Sequence, residues 1–257
     1  MSEPVIMHKE TPVNLQFKEA KARVVYHQYE DVLLNLVLVS FNERRYVLST
    51  MDGLQKVRNV GNVYVPDSLS MRHMTLHNYE QFTKTLPSTL GLCHRDFIFL
   101  STGVNMEKIA VCEKSHDDFH VCCIATGGAR DNALRMGVDA GNWIEHKTQM
   151  QLALGTINII LLTNVTLTLG AMARAIMTVT EAKTAALQDL GYMSTYSPQV
   201  QATGTGTDSM LVVSGVHADI VIKHTGGHTK MGELIGFAAK SAVTEALKKY
   251  DNYEGST

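Results

Sequence analysis

The chain has 257 residues, 45% of them hydrophobic and 19% charged, with a formal net charge of -2 at pH 7. That is an ordinary globular composition, long enough for one large domain or two small ones. The longest basic blocks are Arg44-Arg45 and Lys248-Lys249, so no nucleic-acid footprint is indicated, and no apolar run is long enough to cross a bilayer.

Residues 1–21 are polar and mixed in charge, unlike a signal or transit peptide, and the expected location is the cytoplasm. Residues 24–49 read as strands. DVLLNLVLVS (31–40) is apolar with partial alternation, and RYVLST (45–50) follows a turn-like FNER. NVGNVYVP (59–66) reads as a turn and then a short strand. The stretch 68–90 is polar and mixed, with a helix expected over 77–86, ahead of Pro87. DFIFLSTGV (96–104), KIAVCEK (108–114) and FHVCCIATGG (119–128) are three further strand candidates. GGARDNALRMG (127–137) places helix formers between glycines and predicts a helix stopped at Gly137. Cys93, Cys112, Cys122 and Cys123 form no CxxC pair and read as buried, reduced thiols.

The next unit alternates strand and helix. TINIILLT (156–163) predicts a strand, NVTLT (164–168) a turn, and Leu169 to Leu190 a helix closed by Gly191. A Ser/Thr/Gly/Pro-rich loop (191–207), the strands DSMLVVSG (208–215) and ADIVIKH (218–224) and a last helix from about 229 to 249 follow. Nearly unbroken apolar runs at 157–163 and 209–214 predict strands buried on both faces. The order predicts an α+β (mixed α/β) fold, β-sheet layers covered by helices. It is expected to form a single domain over 1–257, with N-terminal strands at about 20–66 and a motif-bearing core at about 95–250.

Polar side chains set beside apolar patterns must be paired or they cost stability. In the helix after residue 168, Leu169, Met172, Ile176, Val179, Leu187 and Leu190 form a stripe, and at about 100° per residue Lys183 falls at its centre. Such a lysine either packs its stem and pairs structurally, or holds its charge beside a substrate carbonyl or a nucleophile. Thr180 lies on the flank and Glu181 points away. In ATGTGTDS (202–209) the glycines permit close approach, and the hydroxyls and amides of Thr203, Thr205 and Thr207 suit an oxyanion or phosphate. A tight loop capping its own backbone explains the pattern equally. Asp208 opens the strand that follows.

HTGGHTKMGE (224–233) offers His224, His228 and Glu233 for acid–base work or, as the minority reading, a two-histidine, one-carboxylate metal site. Glu233 lies opposite the apolar stripe of the last helix (Met231, Leu234, Ile235, Ala238, Ala242, Ala246). The glycine-opened segment at 127–137 adds Arg130 and Asn132 as donors.

Taken in order, GTINIILLTN, TEAKTAALQDLG, ATGTGTDS and HTKMGELIG resemble the adenosylcobinamide amidohydrolase family of corrinoid salvage. The resemblance covers about residues 95–247. It implies an enzyme that hydrolyses the amide between a corrin-ring carboxyl side chain and aminopropanol, releasing adenosylcobyric acid. Positions carried over by motif are Asn158, Thr180, Glu181, Lys183, Thr203, Thr205, Thr207, Asp208, His228 and Glu233. GGARDNALRMG departs from the threonine-alanine-glycine pattern expected there, which leaves Arg130 and Asn132 outside the match.

Amide hydrolysis needs a nucleophile, oxyanion stabilisation and a proton for the leaving amine. His228 with Asp208 or Glu233 could activate water, with Lys183 or the 203–207 amides holding the oxyanion. The rival route is a threonine nucleophile from that loop, aided by Lys183. Asn158, Thr180, Arg130 and Asn132 are expected to bind substrate. The expected partner is a corrinoid small molecule that carries its own cobalt, so no cofactor or metal of the protein's own is required. No nucleic acid or membrane partner is expected, and a homo-oligomer stays open. Two alternatives remain: a corrinoid or tetrapyrrole binding protein without hydrolysis, and a metal-dependent amidase of a small substrate.

Overall fold

The computed structural model describes residues 9–69, 76–141, 144 and 155–254. It is a mixed α and β fold built on a curled nine-stranded sheet. The strands β1 (Lys9–Val13), β2 (Ala20–Tyr29), β3 (Val32–Ser49), β4 (Gly53–Tyr64) and β5 (Phe97–Thr102) make one part of it. β6 (Ala110–His116), β7 (Phe119–Gly127), β9 (Ile157–Thr163) and β12 (Ser209–Val213) make the other. The path runs β1-β2-β3-β12-β9-β7-β6, with β4 on β3 and β5 on β4. Two small pairs stand apart: β8 (Ala133–Leu134) with β11 (Gly204–Thr205), and β10 (Val165–Leu167) with β13 (His217–Ile222).

β3 is the hinge of this arrangement. The expected turn at FNER is not a turn: the strand runs through it, and its register to β4 shifts between Ser40 and Arg45. Such a bulge bends a strand without ending it. The first half of β3 pairs with β2, and beyond the bulge Val47, Leu48 and Ser49 pair with β12. β4 likewise begins at Gly53, not after Asn59, because pairing with β3 recruits polar residues that carry no strand pattern of their own.

Curling creates an inner apolar layer and two outer ones. Val37, Val39, Val60 and Leu100 meet Ile124, Ile160, Leu162 and Leu211 inside. Outside, helix α1 (Leu76–Thr89) covers Val25, Leu36, Phe97 and Phe99 with Phe82 and Leu86. Helices α2 (Leu169–Asp189) and α3 (Lys230–Glu254) pack on each other and over the far face of β7, β9 and β12. All seven residues of β9 are buried, as its unbroken apolar run predicts. Burying each large aliphatic side chain contributes roughly 1.5–3 kcal/mol.

Three further expectations are corrected. α1 does not stop ahead of Pro87 but carries it in its last turn. NVTLT is not only a turn, since Val165–Leu167 pairs with β13. GGARDNALRMG is not a helix. Ala133 and Leu134 pair with Gly204 and Thr205, and the Leu134 carbonyl accepts the Thr203 N–H at 2.8 Å, so strand pairing overrides helix propensity there. Of the cysteines, Cys122 and Cys123 are buried, and burial pushes both thiols up; Cys112 is half-buried and Cys93 exposed. Among the described residues no helix is long and apolar enough to cross a membrane.

Candidate active site

α2 begins at Thr168, whose hydroxyl accepts the Ala171 N–H at 3.2 Å. Its buried face is short-chained: Ala171, Ala175, Ala182 and Ala186 flank Met172, Val179 and Leu187. Leu169, placed in the stripe by spacing, is 55% exposed at the first turn, while Leu187 of the same stripe is fully buried. On this face, 6% exposed, stands Lys183. Its ammonium forms an ion pair with Asp208 Oδ2, at the threshold of β12.

Asp208 is the centre of the group. Its Oδ1 accepts the Thr205 hydroxyl and the Ile157 N–H (3.1 Å), and its Oδ2 accepts the Thr205 N–H (3.0 Å) as well as Lys183. Gly204 makes this approach feasible, since a Cβ there would collide with both Lys183 Nζ and Asp208 Oδ2. The two charged side chains are only 8% and 12% exposed. A buried charge pair is costly unless its remaining sites are filled, and on the Asp208 side three further donors fill them.

The 203–208 loop is knitted in on both sides. Thr203 gives its carbonyl to the Thr184 hydroxyl (2.9 Å), and its hydroxyl accepts the Met136 N–H (2.9 Å). Thr207 Oγ1 and the Asn132 amide both donate to the Gly155 carbonyl, at 3.3 and 3.1 Å. Asn132 is buried, and its Oδ1 accepts from Tyr196. Asn158 lies one residue beyond Ile157, hence on the inner face of the sheet. Its Nδ2 donates to Asn62 Oδ1 and to the Ser101 carbonyl, both at 2.9 Å, and Asn62 in turn donates to Thr126. The buried Oδ1 of Asn158 has no hydrogen-bond partner among the described residues. The Ser101 hydroxyl meets Tyr79 at 2.7 Å, and burial pushes the Tyr79 phenol up.

Lys183, Asp208, Thr205, Thr203, Thr207 and Asn132 are thus brought together, with Asn158 behind them. Other candidates stand apart. His228 is exposed at a turn where a Cβ on Gly226 would lie 3.2 Å from its Nδ1 and 3.3 Å from Arg174 Nε. Arg174 precedes Lys183 by nine residues, about 13.5 Å along the axis and on the opposite face of the helix. Among the described residues no hydrogen bond or ion pair joins His228 to Lys183 or Asp208. Glu233 pairs with Lys230 at 2.8 Å on the surface, and His224 is exposed. Thr180 back-bonds to the Ile176 carbonyl, Glu181 is exposed, and Arg130 pairs with Asp251. Among the described residues, no three His, Cys, Asp or Glu side chains are grouped to hold a metal ion.

Beside this group opens a cleft of about 700 Å³, lined by residues that include Tyr64, Gly103, Asn105, Asp131, Gly155 and Tyr250. None of these was read from the sequence as part of a site. Asn62 and Thr126 were also missed, although Asn62, like Asn158, is a buried asparagine inside a strand.

The sequence profile of the adenosylcobinamide amidohydrolase family matches residues 19–255. An uncharacterized protein of Methanocaldococcus jannaschii is 43% identical over 225 residues, 84% of this chain and 86% of that one. A Methanosarcina mazei protein named adenosylcobinamide amidohydrolase is 30% identical over 155 residues, 58% of this chain and 62% of that one. The crystal structure of a Pyrococcus horikoshii protein overlays with a TM-score of 0.39 at 12% identity, covering 84% of this chain and 77% of that one.

Proposed function

The chain belongs to the adenosylcobinamide amidohydrolase family, and we propose that it hydrolyses the aminopropanol amide of adenosylcobinamide, yielding adenosylcobyric acid and aminopropanol. The observation that carries the chemistry is the hydroxyl–carboxylate–ammonium chain Thr205–Asp208–Lys183. Asp208 orients the Thr205 hydroxyl and also accepts the N–H of the same residue, which fixes the hydroxyl against the carboxylate.

In this reading Thr205 Oγ attacks the amide carbon and forms an ester with the corrin carboxyl group. The hydroxyl proton passes to Asp208 and then to the nitrogen of the departing aminopropanol as the C–N bond breaks. Lys183 offsets the negative charge that develops on the carbonyl oxygen and on the carboxylate in turn. Water hydrolyses the ester and restores the hydroxyl. The route draws on side chains alone, so a chelator is expected to leave turnover unchanged.

The test is incubation with adenosylcobinamide, with mass analysis of the corrinoid and assay of free aminopropanol. Wild-type protein is expected to release it. Thr205→Ala is expected to lose at least about a hundredfold in turnover, and Thr205→Ser to keep a measurable part. Release of no aminopropanol by the wild type would favour corrinoid binding without hydrolysis. Loss of activity with chelator, restored by one divalent ion, would favour the metal-dependent amidase.

A further inference from the structure

The reactive group is too enclosed to hold a corrinoid, which is many times larger than the amide to be cut. Lys183 and Asp208 are 8% and 12% exposed, and Thr205 is buried. The rest of the ligand must lie elsewhere. Resting on the hydrolytic reading, we propose that the 700 Å³ cleft seats the corrin ring. It lies between the loops that follow β4 and β5 and the last turns of α3, and the amide-bearing arm passes Gly155 to reach Thr205.

Three features carry this assignment. The first is size: small-molecule and cofactor pockets run to about 300–1,000 Å³, and an open one can hold part of a larger ring whose edge stays in solvent. The second is chemistry. Tyr64 and Tyr250 offer flat apolar faces with polar tips, suited to a broad ring fringed by amides. The Lys108 ammonium lies 4.6 Å from the centre of the Tyr250 ring, which orders that wall. The lining also carries three carboxylates (Asp67, Glu107, Asp131) against two ammonium groups (Lys108, Lys249), an excess that suits the net positive charge of a cobalt(III) alkylcorrin.

The third feature is position. Gly155 belongs to the cleft wall, and its carbonyl accepts from Thr207 on the loop that bears Thr205 and Asp208. Two residues on, the Ile157 N–H donates to Asp208 itself. One short backbone ridge therefore separates the cleft from the reacting hydroxyl. The neighbouring Thr156 hydroxyl, which donates to the Thr207 carbonyl at 2.9 Å, fixes the spacing.

Gly103 provides the test. It lines the cleft, is exposed, and a Cβ built on it meets nothing within 4 Å. Gly103→Leu and Gly103→Trp therefore fit the fold and project into the cleft space. Both are expected to raise the Kd for adenosylcobinamide, measured by equilibrium dialysis, and KM by about tenfold or more. They should leave kcat within about twofold, because no reacting group is touched. Asp131→Lys should weaken binding in the same direction, and circular dichroism verifies that each variant is folded. Unchanged Kd and KM in folded Gly103→Trp and Asp131→Lys would overturn the cleft assignment while leaving hydrolysis standing. A wild type that binds adenosylcobinamide in a Gly103-dependent way but releases no aminopropanol would uphold the cleft and sink the hydrolytic reading instead.

Discussion

Asp208 accepts four hydrogen bonds, and the ammonium it meets is almost sealed from water. Asp208→Asn is therefore expected to act twice. It removes the proton acceptor, so aminopropanol release should fall by at least about a hundredfold. It also strands the Lys183 charge, which should cost about 3 kcal/mol in urea unfolding. The double variant Lys183→Met/Asp208→Leu separates the two effects, since it should regain most of the stability and none of the activity. For His228 the expectation follows its surroundings beside Arg174: His228→Ala should retain near wild-type turnover, and a loss of about a hundredfold would return it to the mechanism as a general base. Lys183, Asp208 and Thr205 were legible because each is a polar insertion in an apolar or glycine-rich pattern. His228 stood out on the same logic, but a Gly-Gly turn leaves the direction of the next side chain undetermined by sequence. The cleft was illegible because its walls come from five separate segments that only the curled sheet brings together.

At the level of elements, periodicity placed β5, β7, β9, β12, α2 and α3 within a few residues, since each pattern expresses burial on a face that does exist. It failed where partners decide the conformation. Residues 127–137 have helix formers but no apolar helical face to bury, and Gly204 and Thr205 claim Ala133 and Leu134 as a short strand. FNER carries turn-like residues yet lies within a bulge, because both edges of β3 are paired around it. The 203–208 loop offers a sharper test of element geometry. Gly204→Ala introduces a methyl group where Lys183 and Asp208 meet, and neither can retreat without giving up its partner. The variant should fold with a loss of about 1–3 kcal/mol, as for an overpacked site. Its kcat should fall more than its KM rises, measured by steady-state aminopropanol release, because the pair is displaced and the cleft is not.

Across the whole molecule, one carboxylate ties distant segments and gives stability a pH dependence. Asp139 is held below the usual carboxylate range by the Ser194 hydroxyl first, then by Ser197 and the Arg135 N–H, so the 133–139 turn is fastened to the 192–201 loop. A carboxyl whose folded pKa is depressed contributes stability above its unfolded value of about 4 and loses it as the pH falls through and below that value. Thermal unfolding followed between pH 7 and about pH 3 should show Asp139→Asn losing less than the wild type over the acid end, and equal slopes would refute the assignment. The route of β3 bears on how the chain folds at all. The seam between β3 and β12 joins residues as far apart as Thr50 and Met210, 160 positions along the chain. On a ribosome the second half of β3 waits through the synthesis of β4 to β11 before β12 emerges, and until then both it and β9 present a bare edge. Such long closure makes for slow folding, and a nascent chain paused ahead of residue 209 would be the species most exposed to edge-to-edge aggregation.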